Sequence, residues 1–253
     1  MNTNGSKITN EDLKQSLKEA GVKFVRIIWC DNANVIRAKA AHINYLEDYI
    51  DNGVGMNMAQ EALPVMYDSV VPETGLGPIG EVRLMPDWST LKILPYAEGH
   101  AQVLSDMVIS ETRKVWEHCP RGFLCRQIEN LAEKGFIIQA ALENEFFLLR
   151  KTAEGTLEPA DDTVFSATGS MNLHREFIND VADALIAQGV EVEGYYPESG
   201  PGQQEVNVRY VEAMQAADQQ IVYRETVRGV AIQHGMIASF LPKILEDKAG
   251  SGC

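Results

Sequence analysis

Two stretches of this chain, Phe136–Arg150 and Gln203–Tyr210, alternate in polarity every second residue and gather carboxylates on one side. Such alternation specifies strands with one face on a core and the other turned away from it. In the first stretch Phe136, Ile138, Ala140, Leu142, Phe146 and Leu148 share a face, interrupted only by Asn144. Gln139, Glu143 and Glu145 lie opposite. In the second, Gln203, Glu205, Asn207 and Arg209 oppose Val206, Val208 and Tyr210. Carboxylates two residues apart on one strand face repel each other, and a cation or strong donors are needed to offset that. On these residues alone an ordinary solvated face and a metal site both stand open.

The surrounding pattern is mixed. A helix is expected over about residues 10–20, with Thr9 and Asp12 at its start and Gly21 as its stop. A hairpin follows (Val22–Cys30 with Asn34–Ala40), then a helix near Ile43–Ile50. The chain reads as loop from Gly53 to Gly80, then as short strands at Glu81–Met85, Leu91–Tyr96 and Ala101–Asp106. The texture changes near residue 108. Pro120 opens a helix that Gly135 closes, Phe136–Arg150 is one long strand, and Ser170–Gln188 is a helix with Leu173, Phe177, Val181 and Leu185 on one face. Val190–Tyr195 and Gln203–Tyr210 are strands, followed by a helix over 213–234 and a strand at Met236–Pro242. The expectation is an α+β protein of two domains, residues 1–107 and 108–253, the second built on an antiparallel sheet.

Charge narrows the partners. The formal net charge is −14, which repels phosphate backbones and argues against nucleic-acid binding. The first residues show no targeting pattern, and no apolar run approaches membrane-spanning length. Cys30, Cys119, Cys125 and Cys253 lack C-x-x-C spacing and suit reduced thiols in a cytoplasmic protein, with Cys30 a small buried apolar residue.

The Gly200-Pro201-Gly202 turn can bring Glu198 and Glu205 into one site, adding to Glu143 and Glu145. Glutamates at strand ends, with no Cys or His pair beside them, are hard oxygen donors suited to Mg²⁺ or Mn²⁺ rather than zinc. They are expected to converge on one cleft.

Three segments in this order, Glu143-Asn144-Glu145-Phe146, Glu198 to Glu205, and Ala249-Gly250-Ser251-Gly252-Cys253, resemble the glutamine synthetase family of ATP-dependent ligases. The resemblance covers nearly the whole chain. It implies a β-grasp-like N-terminal domain followed by the first part of the family's catalytic domain. It implies an activity that joins glutamate to ammonia or another amine through γ-glutamyl phosphate. By the same resemblance Glu145, Glu198 and Glu205 would hold the cation nearest glutamate, and Glu143 the one nearest the phosphates. Glu193 would contact ATP, Tyr210 would stack on adenine unless it is a core tyrosine, and Gly250 would lie against glutamate. A full-length homo-oligomer is implied, with the N-terminal domain completing a neighbour's site.

There are departures. Ala249 stands where the motif has asparagine, and the chain stops before the motif's histidine. Met56 to Glu61 replaces the segment whose aspartate handles ammonium, and neither Glu61 nor Asp68 is a convincing substitute. The last departure points to an amine other than ammonia, as in gamma-glutamylpolyamine synthetases. The chain by itself is expected to lack ligase turnover; the competing reading is a catalytically dead or truncated member acting in assembly or ligand binding.

Overall fold

The structure is a computed structural model and describes residues 10–252. Thr9 and Cys253 lie outside the described residues. The chain divides into two compact units, residues 1–94 with 98–134, and residues 95–97 with 135–253. The change of texture near residue 108 falls inside the first unit.

In the first unit α1 (Asn10–Glu19) leads into β1 (Phe24–Cys30), which pairs antiparallel with β2 (Ile36–His42). A short 3-10 turn and α2 (Leu46–Ile50) follow. β3 (Val54–Asn57) lies in the stretch read as loop, and it pairs with β4 (Glu81–Pro86). Four residues containing a glycine are too few to show periodicity, so this strand carried no sequence signal. β5 (Lys92–Ile93) is much shorter than expected, whereas β6 (His100–Ile109) is longer. The main sheet runs β2-β1-β6-β4-β3, with β1 and β6 parallel. Val25, Ile27, Val82, Leu84 and Val103 are fully buried on it, with Leu17 of α1 and Leu46 of α2 against them. α3 (Pro120–Ala132) begins with Cys119 Sγ accepting from the Gly122 amide, so that thiol is a helix cap. Cys30 is half-buried, not buried as expected, because it ends β1.

Glu61 is an anomaly of this unit. It is 0% exposed, and neither carboxyl oxygen makes a well-formed hydrogen bond among the described residues. Burial, then the nearby Asp31 charge, push it up to about 8, against weaker pulls from Arg37 and from the Asn32 backbone amide. Asp31 itself is satisfied. It accepts from the amides of Ala33 and Val35 and from Arg37 Nε at 2.6 Å.

In the second unit the long strand expected from 136 to 150 is broken. β7 (Gln139–Ala140) is separate from β8 (Asn144–Lys151). Phe136, Ile137 and Ile138 are exposed at 62%, 80% and 44%, so the apolar row does not continue into a core there. β9 (Leu157–Pro159) pairs with the end of β8. α4 (Thr168–Ala187), β10 (Val192–Pro197), β11 (Gln203–Val208), β12 (Val211–Glu212), α5 (Ala213–Gln233) and β13 (Ile237–Ser239) complete the order. The sheet is antiparallel and ordered β10-β11-β8-β13, while β7 pairs with β12. Phe146, Leu148 and Val206 point to α4 and α5, meeting Phe177, Val181, Leu185, Tyr223 and Val227.

One expected member of α4's apolar face, Leu173, is exposed. Its neighbour His174 is buried instead. His174 Nε2 and Ser170 Oγ, one turn apart on α4, meet Asp161 Oδ2 at 2.7 and 3.1 Å. Gln204, which shares the helix-side face of β11 with Val206, donates to Ser170 Oγ. A polar network therefore lies between helix and sheet directly behind the acidic face, with Asp161, Ser170 and His174 paired to one another and Gln204 joined through its amide nitrogen.

Candidate metal and nucleotide site

Antiparallel pairing sets Glu205 of β11 directly opposite Glu145 of β8 and opposite Tyr196 of β10. Side chains at paired positions share a face, so the two carboxylates look the same way. Glu198 is brought to them by the turn at Glu198–Gln203, closed by Glu198 N donating to Gln203 O at 2.9 Å and Gln203 N to Gly200 O at 2.9 Å. One oxygen from each of Glu145, Glu198 and Glu205 lies within 4.8 Å of the others.

Each carboxylate is held by one oxygen. Glu145 Oε2 accepts from Gln203 Nε2 at 2.6 Å, Glu198 Oε2 from the Ser199 amide at 3.0 Å, and Glu205 Oε1 from the Tyr196 hydroxyl at 2.8 Å. Their second oxygens have no hydrogen-bond partner among the described residues. Three oriented hard oxygens left open in this way fit a Mg²⁺- or Mn²⁺-type ion. The electrostatics agree. Burial raises the Glu205 carboxyl above the ordinary range; the Tyr196 hydrogen bond opposes this, while the charges of Glu198, Glu145 and Glu143 add to it. Tyr196 is in turn pushed up to about 12, chiefly by its hydrogen bond to Glu205.

Glu143 does not join the three. The break between β7 and β8 leaves it exposed in irregular chain, and it reaches the site only through its charge. Glu193 stands where the β10–β11 register shifts, exposed, and Arg209 Nη1 lies 3.3 Å from its carboxylate. Tyr210 follows the end of β11 and is 54% exposed, which removes the core-tyrosine reading. The Arg209 guanidinium sits 5.7 Å over its ring, so Arg209 links the two residues expected at ATP. Gly250 is exposed, and its carbonyl accepts from Gln203 Nε2 at 3.0 Å. The segment carrying it folds back, with Ser251 N donating to Pro242 O at 2.8 Å. A Cβ on Gly252 would fall 2.7 Å from Glu145 Oε1, so this glycine lies against the cluster.

Sequence reading missed Gln203, Tyr196 and Arg209 as site residues. Gln203 and Arg209 were visible only as members of a polar face. Nothing in Tyr196 itself distinguishes it from a core tyrosine.

The turn depends on Gly202. Its φ is +70°, and an added Cβ would meet Leu148 O at 2.6 Å and Ala160 N at 3.0 Å, both backbone. Gly202→Ala is expected to destabilise the protein by about 2–4 kcal/mol, combining backbone strain with overpacking. Urea unfolding reads the shift, and an unchanged midpoint would show that the turn relaxes freely.

Comparisons with known proteins follow the same lines. Residues 11–118 match the family description "Glutamine synthetase N-terminal domain", and residues 117–253 match "Glutamine synthetase, catalytic domain". The Type-1 glutamine synthetase 1 of Dictyostelium discoideum is 31% identical over 267 aligned positions, covering 98% of this chain and 54% of that protein. A gamma-glutamylpolyamine synthetase of Streptomyces coelicolor is 33% identical over 244, covering 95% and 52%. A solved structure titled as a GmaS/ADP complex superposes with a TM-score of 0.83 at 24% identity, covering 94% of this chain and 53% of that one, and so supports the fold. The chain spans about half the length of the relatives it matches. With both family descriptions matched in consecutive order, the chain belongs to the glutamine synthetase family.

Proposed function

We propose that this chain supplies the N-terminal domain and the first part of the catalytic domain of an ATP-dependent carboxylate–amine ligase. The product is a γ-glutamyl amide, made from glutamate and ammonia or another amine by way of γ-glutamyl phosphate. The observation that carries this reading is the meeting of Glu145, Glu198 and Glu205 with the 249–252 segment.

In this reading Glu145, Glu198 and Glu205 hold a Mg²⁺ or Mn²⁺ ion, and Glu143 faces a second. When bound, such an ion offsets the charge of the two anionic groups that must approach each other. The protein's own part is positional. Tyr196 and Gln203 fix the carboxylates, Glu193 and Tyr210 receive ATP with Arg209 between them, and Gly250 borders the glutamate. The loop holding Glu61 in place of an aspartate-bearing segment favours an amine other than ammonia. Functional domains are assigned as 1–107 and 108–253, and the complete gene product is taken to act as a homo-oligomer.

The test is a coupled assay of ADP release by the complete gene product, with ATP, Mg²⁺, glutamate and a panel of amines. Glutamate-dependent release, lost in Glu205→Ala, is expected. The relatives' chains are about twice this length, so the 253-residue polypeptide is expected to bind Mn²⁺ without turnover. Absence of Mn²⁺ binding by the polypeptide would overturn the metal assignment.

A further inference from the structure

Gln203 is 1% exposed, and its side chain spends both amide donors and one oxygen lone pair on three separate segments. Oε1 accepts from the Gly200 amide at 2.8 Å, inside the turn that delivers Glu198. The two Nε2 hydrogens go to Glu145 Oε2 on β8 and to Gly250 O in the 249–252 segment. An amide has two donors on nitrogen, so both are spent. The orientation is also determined. A flipped amide would set its oxygen against a carboxylate oxygen and a carbonyl oxygen, and would turn NH₂ toward an N–H.

The two acceptors differ in kind. Glu145 belongs to the proposed cation cluster, whereas Gly250 borders the proposed substrate position. They are 105 residues apart in the chain and share one nitrogen. A cation that fixes Glu145 therefore fixes the amide, and a fixed amide restrains the Gly250 carbonyl. Ordering the segment in turn holds the amide, and through it Glu145, in the geometry that leaves Glu145 Oε1 open. Such coupling is reciprocal by thermodynamic necessity.

We infer that Gln203 is a positioning residue that couples cation binding at Glu145 to the order of the 249–252 segment, and so prepares the substrate side of the site when the cation arrives. The inference rests on the reading of Glu145, Glu198 and Glu205 as cation ligands. A merely structural Gln203 would support the turn and leave the segment indifferent to the cation.

The 253-residue chain is titrated with Mn²⁺, following free Mn²⁺ by electron paramagnetic resonance and amide exchange across residues 245–252 by mass spectrometry. In the unsubstituted chain Mn²⁺ is expected to slow exchange in this segment several-fold. Gln203→Met, which keeps the length and removes both donors, is expected to abolish that response and weaken Mn²⁺ binding about tenfold, as loss of an outer-layer hydrogen bond to a ligand does. Exchange in β8 and β11 reports whether the variant is folded. If Gln203→Met does not fold, Gln203→Asn decides, because it keeps the neutral amide but is one methylene too short to span Gly200, Glu145 and Gly250 together; the response is again expected to vanish. Failure of the unsubstituted chain to bind Mn²⁺ overturns the cation reading and the inference with it. Mn²⁺ binding without slower exchange, or an equal response in the deciding variant, overturns the inference alone.

Discussion

Replacing Glu61 with glutamine is expected to stabilise the protein at pH 8 and to flatten its stability profile between pH 4.5 and 8. Glu61 is fully buried with neither oxygen in a well-formed hydrogen bond among the described residues, and its folded value is raised from 4.5 to about 8. Between those values the folded state keeps a proton that the unfolded chain has released. Stability is then fully present below pH 4.5 and lost as pH rises toward 8, at up to about 1.4 kcal/mol per pH unit, for an upper bound of roughly 5 kcal/mol. Glutamine preserves volume and cannot ionise. Urea midpoints measured for both proteins at pH 5 and pH 8 read the effect. A wild-type midpoint that does not fall over this interval would show that Glu61 finds a partner or water that the packing around it conceals.

Glu205→Gln is expected to act with opposite signs with and without a divalent ion. In EDTA the substitution should raise Tm, because it relieves the like charges that β8 and β11 set directly opposite each other. With Mn²⁺ present, affinity should fall by at least about a hundredfold. Losing an outer hydrogen bond to a ligand already costs about ten- to a hundredfold, and here a ligand charge itself is removed. Calorimetry of both proteins with EDTA and with Mn²⁺ gives both halves of the result. An unchanged Mn²⁺-induced rise in Tm would place the ion elsewhere.

The sequence announced much of this arrangement because alternation and turn chemistry are local. Glu145 and Glu205 were legible as members of polar strand faces, and Gly200-Pro201-Gly202 as the turn between Glu198 and Glu205. Glu143 was read as part of one continuous strand because alternation from Phe136 onward says nothing about which partner strand is present. β7 pairs with β12 and β8 with β11, and the chain changes course at 141–143 between them. Leu173 lost its place to His174 for a related reason: Asp161, far from α4's own pattern, supplies the acceptor that makes a histidine the better buried residue there. Gln203 was unreadable as a tether because its three acceptors and donors arrive from Gly200, Glu145 and Gly250 only after folding.

The pairing of Glu205 with Glu145 and with Tyr196 also acts as a check on assembly. A slip of β11 by one residue against β8 would exchange its two faces. Glu205 would then be driven toward Phe177 and Val181, and Val206 would stand beside Glu145 in its place. Only the correct alignment presents three carboxylates together, so only that alignment would gain binding free energy from a divalent ion held as proposed. Such an ion would thus reward one register among its near competitors, and the same residues that make the outer face repulsive make its misaligned forms worse. Refolding with Mn²⁺ should for that reason yield a larger correctly paired fraction than refolding in EDTA, making the metal an editor of the sheet as well as its ligand.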